Sequence, residues 1–143
     1  MLVSTKGRYA LRVMVDIAEH NNGDYIPLKE IANRQEISEK YLESIISALV
    51  KADYVTGLRG KGGGYKLTRN PEQYTAGSIL KVTEGSLAPV ACLDSSSGCC
   101  ERGEDCKTLP MWKGLGKLID DYLEGITLDD LVKEPVEQLN YSI

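Results

Sequence analysis

The chain has 143 residues, of which 42% are hydrophobic and 27% charged, a composition typical of a globular protein with one core. No stretch approaches the roughly 18–20 apolar residues that cross a bilayer, and the N-terminus lacks the apolar run of a signal peptide. We therefore expect a cytoplasmic protein without membrane association, in a compartment where thiols stay reduced.

The net charge of −4 is divided unevenly along the chain. Residues 1–70 carry 11 Lys and Arg against 8 Asp and Glu, whereas residues 71–143 carry 6 against 13. A basic N-terminal half is typical of a segment that contacts a polyanion such as nucleic acid. Chance scatter of surface charge is the alternative, and charge alone does not decide between them.

The first third of the chain predicts three helices. Ser4 is a candidate N-cap for a helix that runs to about Asn21, with apolar residues at helical spacing. A short second helix is predicted over residues 28–34. Ser38 is a candidate N-cap for a third helix over residues 39–51, whose apolar residues form one broad stripe.

The sequence pattern changes after the third helix. Two short runs of β type, residues 54–56 and 65–67, are separated by GLRGKGGG, which predicts a hairpin with a glycine-rich tip. Thr75 is a candidate N-cap for a helix over residues 76–84. After a cysteine-containing segment, a longer amphipathic helix is predicted over residues 109–124 and a last short helix over residues 128–134.

Two short helices and a glycine-tipped hairpin are typical of a winged helix-turn-helix DNA-binding domain, in which the second helix of the pair enters the major groove. On that helix the carboxylate of Glu43 would accept a hydrogen bond from cytosine and repel phosphate. The alternative is that Glu43 lies on a solvated helix face without a role in DNA binding. The cations at the hairpin tip suit a minor groove, with an ordinary flexible hairpin as the alternative. A nucleotide-phosphate loop is disfavoured because GKGGG lacks Walker spacing.

Several stretches together resemble the iron–sulfur cluster regulator (IscR) family of dimeric bacterial repressors. They are STKGRYALRVM near the N-terminus, ISEKYLE in the third helix, LRGKGGGYKL in the hairpin and WKGLGKLIDDYLEGITLDDLV near the C-terminus. The resemblance implies a mainly α fold with a small β-hairpin wing. It divides the chain into a winged helix-turn-helix domain over residues 1–85, a cysteine-rich loop over 86–107, a dimerisation helix and short C-terminal helix over 108–135, and a tail over 136–143.

The resemblance also implies which residues contact DNA and which form a homodimer. Contacts to the DNA backbone and minor groove are implied for Ser4, Thr5, Lys6, Tyr9, Arg59, Gly60, Lys61 and Gly62. Base contacts from the recognition helix are implied for Ser38, Lys40, Tyr41, Glu43 and Ser44. The implied dimer interface consists of Trp112, Leu115, Leu118, Ile119, Tyr122 and Leu123. The expected partners are a double-stranded DNA operator and a second copy of the chain, with no small-molecule substrate.

All four cysteines lie in one stretch, CLDSSSGCCERGEDC. Thiolates suit zinc or an iron–sulfur cluster. Zinc ribbons use tight C-x₂₋₄-C pairs, whereas seven residues separate Cys92 from Cys100 and five separate Cys100 from Cys106. The spacing therefore disfavours zinc, and a reducing compartment disfavours disulfides. A redox switch and a set of idle thiols are the remaining alternatives.

For these cysteines the resemblance implies an iron–sulfur cluster, of the 2Fe–2S type or alternatively 4Fe–4S, held by Cys92, Cys100 and Cys106. Cys99 is an alternative or fourth ligand. The family has a histidine three residues after the last cysteine, where this chain has Leu109. The fourth ligand is therefore open, and other candidates are a residue of the partner subunit's N-terminal helix and the loop carboxylates Glu101, Glu104 and Asp105.

The predicted function is that of a dimeric repressor, not an enzyme, which senses iron–sulfur or redox status and controls cluster-assembly genes. A cysteine-metabolism branch of the same family shares the fold but generally lacks the cysteine triad. A nitric-oxide branch is disfavoured because Arg8 stands where an acid is expected. The alternative of another class is a zinc- or cluster-binding redox or electron-transfer protein. Catalysis by such a protein is disfavoured because no nucleophile–base pair is visible and His20 is the single histidine.

Overall fold

The computed structural model describes residues 3–94 and 105–133. In chain order the described elements are α1 (Thr5–Glu19), α2 (Leu28–Gln35), α3 (Glu39–Lys51), β1 (Val55–Leu58), β2 (Gly64–Leu67), α4 (Ala76–Glu84), α5 (Leu109–Glu124) and α6 (Leu128–Lys133). Short 3-10 turns lie at Pro71–Gln73 and Ala91–Leu93. The architecture is mainly α with a two-stranded antiparallel hairpin, which confirms the predicted fold class.

Three predicted N-caps are confirmed by their hydrogen bonds. The hydroxyls of Ser4, Ser38 and Thr75 accept from backbone N–H groups three residues later, at 3.0, 3.2 and 2.9 Å. A hydroxyl in this position satisfies one of the N–H groups that lack a partner inside the helix. The helix predicted to reach Asn21 ends at Glu19, because the N–H of Asn21 donates three residues back and closes a tighter turn.

The hairpin is joined to the segment that precedes α2. Val55 pairs with Leu67 at one end of the ladder, and the N–H and carbonyl of Tyr65 exchange hydrogen bonds of 2.8 Å with Ile26. Gly64 adopts a φ of 148°, and a β-carbon there would collide with the carbonyl of Ile26. The base of the hairpin is thereby held against the helix pair.

The core is formed by the inner faces of α1, α3 and α4. It includes the fully buried Met14, Ile17, Leu42, Leu49 and Ile79, and Leu128 extends it to α6. Tyr74 is also fully buried, and its hydroxyl donates to the carbonyl of Tyr54 at 2.8 Å while it accepts from the N–H groups of Thr68 and Arg69. This hydroxyl therefore satisfies backbone groups where the chain leaves the hairpin.

Helix α5 is held to α4 by polar groups. The ammonium of Lys81 lies 2.7 Å from the carboxylate of Asp120 and 3.0 Å from that of Glu124, which also accepts from Thr75. These hydrogen bonds, that from Thr75 first, hold the pKa of Glu124 below its ordinary value. No residue of α5 is buried, and Leu118 is 69% exposed. An apolar face of α5 is therefore left uncovered within the described chain.

Within residues 3–94 and 105–133, no helix combines the length and apolar character required to cross a membrane.

Candidate nucleic-acid interface

The turn between α2 and α3 presents the start of α3 to solvent. Glu36 adopts the left-handed conformation with φ 55° and ψ 45°, Ile37 inserts into the core, and Ser38 caps α3. Of the five residues predicted to read bases, Tyr41 is half-buried. The other four are exposed on α3 or at its cap: Ser38, Lys40, Glu43 and Ser44. The arrangement places hydroxyl, ammonium and carboxylate groups on the exposed surface of α3, and groups of these kinds can contact the edges of base pairs.

Two of the predicted DNA contacts touch each other. The rings of Tyr9 in α1 and Tyr41 in α3 meet edge to face, with centroids 5.8 Å apart and planes at 63°. Such a geometry is favourable for aromatic pairs. The guanidinium of Arg12 lies 4.9 Å from the Tyr9 centroid. Arg12 was not among the residues predicted to contact DNA. Its position one turn after Tyr9 on α1 is the one feature of the sequence that indicates this contact.

The tip of the hairpin is exposed from Arg59 to Gly62. Gly60 and Gly62 have φ angles of 91° and 78°, and the N–H of Gly63 donates to the carbonyl of Gly60 at 3.0 Å. The turn itself therefore requires the glycines, since these angles strain other L residues. The side chains that the tip offers to a ligand are those of Arg59 and Lys61.

A groove of about 460 Å³ separates α3 from the hairpin. It brings together Glu43 and Arg59, which the sequence suggested independently. Lys51 and the half-exposed Leu58 also line it, and neither was selected from the sequence. The groove is therefore lined by two cations, Lys51 and Arg59, and by the carboxylate of Glu43.

The predicted DNA contacts at the start of α1 lie near the end of α4. Ser4 donates from its backbone N–H to the carboxylate of Glu84 at 3.0 Å, and its hydroxyl donates to the same oxygen. Thr5 is exposed, and its hydroxyl accepts from Arg8 at 3.4 Å. Lys6 is half-buried. The backbone N–H and the hydroxyl of Ser4, a predicted DNA contact, are therefore both hydrogen-bonded to Glu84 in the structure.

Two of the four cysteines lie in the described residues. Cys92 is exposed in the turn Ala91–Leu93, and Cys106 lies three residues before Leu109, the first residue of α5. The hydroxyl of Thr108, 3.3 Å from the Cys106 sulfur, and backbone N–H groups hold the pKa of that thiol below its ordinary value. A thiolate is the form that binds metal ions.

The remaining predicted ligands fall elsewhere. Cys99, Cys100, Glu101 and Glu104 lie outside the described residues, and Asp105 is exposed. Within the described part of the chain, no group of three or more His, Cys, Asp or Glu side chains is placed to hold a metal ion. The predicted cluster site therefore depends on cysteines that the described part of the chain does not include.

A helix pair joined by a tight turn, an exposed polar face on its second helix and a cationic wing together define the class of winged helix-turn-helix DNA-binding proteins. Within that class the chain belongs to the Rrf2 family, described as iron-dependent transcriptional regulators, which it matches over residues 3–134.

Relatives of known name support this assignment. The HTH-type transcriptional regulator IscR of Pectobacterium atrosepticum is 39% identical over 132 residues, which cover 92% of this chain and 79% of that protein. The regulator of the same name from Vibrio campbellii is 37% identical over 134 residues, with coverages of 94% and 79%. The chain is therefore a DNA-binding transcription regulator.

Solved structures of two differently named regulators share the fold. CymR of B. subtilis, described as the global cysteine regulator, is 36% identical with a TM-score of 0.78, covering 92% of this chain and 96% of that one. T. potens IscR is 35% identical with a TM-score of 0.75, covering 100% of this chain and 93% of that one. The fold similarity alone does not separate these two kinds of regulator.

Proposed function

We propose that the protein is a homodimeric, sequence-specific repressor that carries an iron–sulfur cluster on its cysteine loop and controls genes of iron–sulfur cluster assembly. The observation that carries the proposal is the position of Cys106 directly before α5, with the hydroxyl of Thr108 3.3 Å from its sulfur. Three further cysteines lie within the preceding 14 residues, and relatives at 37–39% identity are named IscR.

DNA reading is assigned to α3 and the hairpin. The exposed face of α3 enters the major groove, and Arg59 and Lys61 approach the neighbouring backbone and minor groove. The groove between α3 and the hairpin supports this assignment because it joins a selective carboxylate, Glu43, to the cation Arg59. A carboxylate selects among bases while it repels phosphate, so affinity comes from the cations.

Dimerisation is assigned to α5. Met111, Leu115, Leu118 and Tyr122 are between 39% and 69% exposed, which is an unusual concentration of apolar surface on one helix. A second copy of the helix would remove this surface from water. A dimer of reading heads also fits operators built from two half-sites.

The donor set of the loop fits an iron–sulfur cluster. Thiolates are the ligands that such clusters prefer, and a bound cluster supplies an iron centre that responds to redox state. Cys92 and Cys106 would hold it together with Cys100, with Cys99 as the alternative or fourth ligand. The loop joins the end of α4 at Glu84 to the start of α5 at residue 109. Binding of a cluster to the loop would therefore change the distance between the two α3 helices of the dimer, and with it the affinity for an operator.

Anaerobic purification tests the cofactor. Iron, sulfide and zinc are assayed together with absorption and EPR spectra. Iron and sulfide in similar amounts, with thiolate-to-iron absorption bands, are expected. Zinc without sulfide would contradict the proposal.

Single substitutions test the ligand assignment. Cys99→Ala should leave the cluster in place, and Cys100→Ala should remove it. The reverse result would move the second ligand to Cys99, and loss in both variants would identify Cys99 as the fourth ligand. The same iron and sulfide assays serve as the measurement.

A second candidate is a regulator of cysteine metabolism, and the structural similarity to B. subtilis CymR favours it. The two functions differ in what the thiols do. Replacement of all four cysteines by serine should abolish iron binding and alter operator binding if the cluster is the signal. Unchanged operator binding by a protein that never retains iron would favour the second candidate.

A further inference from the structure

A continuous series of side-chain contacts joins the interior of α1 to the turn before α3. At its inner end lies Asp16, a charged residue that is only 1% exposed. Its carboxylate accepts from Arg34 at 3.0 and 2.7 Å and from the side-chain amide of Gln35 at 2.8 Å. The last two residues of α2 are thereby fixed to the last turn of α1.

Arg12 continues this series towards the surface. Its Nε donates to the side-chain oxygen of Gln35 at 3.1 Å, and a terminal N–H donates to the backbone carbonyl of the same residue. That carbonyl belongs to the last turn of α2, where carbonyls lack partners inside the helix. The amide of Gln35 is consequently bridged, with its oxygen towards Arg12 and its nitrogen towards Asp16.

The same guanidinium also contacts the aromatic pair that touches α3. It lies 4.9 Å from the Tyr9 centroid, and Tyr9 meets Tyr41 edge to face at 5.8 Å. Tyr41 is in the first turn of α3, where its N–H donates to the hydroxyl of Ser38 at 3.2 Å. Arg12 therefore connects the end of α2 with the start of α3, the two helix ends that the turn joins.

We propose that Arg12 is a positioning residue that sets the orientation of α3 and thereby the base selectivity of the protein. The inference rests on the proposed role of α3 as the reading helix. A guanidinium suits this position because its rigid planar fork makes two directed hydrogen bonds while its face lies on an aromatic ring. An ammonium group offers neither geometry, so lysine does not replace arginine here.

Positioning and direct contact with phosphate make different demands on the side chain of Arg12. Two of its five guanidinium N–H groups donate to Gln35, and this directed pair is what positioning requires. A phosphate contact needs only the positive charge, which lysine retains. Substitution by lysine therefore separates the two roles.

The experiment uses the full-length dimer and two DNA probes. One is a duplex selected by the wild-type protein from a random-sequence pool, and the other is the same duplex with its sequence scrambled. Arg12→Lys and Arg12→Gln are compared with Arg8→Lys, the matched control one turn earlier on α1, whose side chain donates to the hydroxyl of Thr5. Dissociation constants are measured over a range of salt concentrations, and thermal unfolding verifies that each variant is folded.

Both Arg12 variants should lose about tenfold in affinity for the selected duplex, because a charge-assisted hydrogen-bond pair and a cation–π contact are lost. Binding to the scrambled duplex and the salt dependence should be unchanged, as should all binding by Arg8→Lys. Full affinity in Arg12→Lys, or a salt slope smaller by about 0.9 in Arg12→Gln, would identify a direct phosphate contact and overturn the proposal. Wild-type affinity in both variants would also overturn it. Failure of the wild-type protein to select any sequence would instead contradict the reading role of α3.

Discussion

The carboxylate of Glu84 accepts hydrogen bonds from both the backbone N–H and the hydroxyl of Ser4, which precedes it by 80 residues. The Ser4 hydroxyl in turn accepts from the N–H of Gly7 at 3.0 Å. The last residue of α4 therefore holds the first turn of α1, where a negative charge is also favourable for the helix dipole. Because the cysteine loop begins directly after α4, this contact lies between the loop and a predicted DNA-contacting segment.

Replacement of Ser4 by alanine should destabilise the fold. The substitution removes the cap of α1 and one of the two bonds to Glu84, and caps of this kind contribute about 1–2 kcal/mol. Urea unfolding followed by circular dichroism measures the change. Thr5→Ala is the control, since that hydroxyl accepts a single bond of 3.4 Å from Arg8. Equal losses in the two variants would contradict the capping role of Ser4.

Replacement of Gly7 by alanine should also destabilise the protein, against the usual helix preference for alanine. A β-carbon at Gly7 would occupy the position of the Glu84 carboxylate and would lie 3.2 Å from the Thr83 hydroxyl. The carboxylate must then move away from Ser4. Gly116→Ala is the control, because a β-carbon there meets Pro89 at an ordinary 3.4 Å. A stabilised Gly7→Ala protein would show that the contact between α1 and α4 is not tight.

Loss of the charge on Asp16 should make the free energy of unfolding vary less with pH in the acid range. Burial opposes ionisation of Asp16, but hydrogen bonds from Arg34 and Gln35 outweigh it and hold the pKa of this carboxyl below its ordinary value. A lowered pKa stabilises the fold above about pH 4, and this stabilisation is lost as the pH falls through the folded-state pKa. Asp16→Asn should therefore cost about 2–4 kcal/mol at pH 7, with a smaller difference from wild type near pH 3.

The control for Asp16 is a second carboxylate beside the same cation. Glu30 lies 3.7 Å from Arg34 and its side chain is 59% exposed, so Glu30→Gln should change stability by less than about 0.5 kcal/mol. Urea unfolding of all three proteins between pH 3 and pH 7 makes the comparison. A difference between wild type and Asp16→Asn that does not vary with pH would show that the Asp16 charge does not stabilise the fold.

The features that the sequence predicted well are those governed by neighbouring residues. The caps at Ser4, Ser38 and Thr75 depend on a hydroxyl and an N–H three residues later, so their signal is local. The hairpin was located from its glycines, although β1 starts at Val55 instead of Tyr54. The reason is that Asp53 turns the chain with a φ of 62° and delays the ladder by one residue.

Features that depend on distant partners were not accessible from the sequence. Tyr9 and Tyr41 were each selected as DNA contacts, but their contact with each other depends on how α1 crosses α3. No role was predicted for Arg12, because its partner Gln35 lies on another helix. The ligand role of Cys100 remains a prediction, since that residue lies outside the described part of the chain.

The uncovered face of α5 predicts that a charged residue there will separate the subunits. Leu118 is 69% exposed in the described chain, so Leu118→Lys should leave the monomer fold intact while it places an ammonium in the proposed interface. Sedimentation equilibrium should show a dimer for wild type and a monomer for the variant. Leu58→Lys, at the 49% exposed leucine of the hairpin, should remain dimeric. A monomeric wild-type protein would contradict the assignment of α5.

The two sides of the groove between α3 and the hairpin should affect DNA binding in different ways. Arg59→Ala removes a cation from the exposed tip, so affinity should fall for every sequence and the salt slope should decrease by about 0.9. Glu43→Ala removes a group that repels phosphate and accepts from cytosine, so overall affinity should be retained while the preferred sequences change. Selection from a random-sequence pool, followed by salt titration, measures both effects. If both variants lost affinity uniformly without any change in sequence preference, Glu43 would have no part in base reading, because only a contact to a base edge makes binding depend on the sequence.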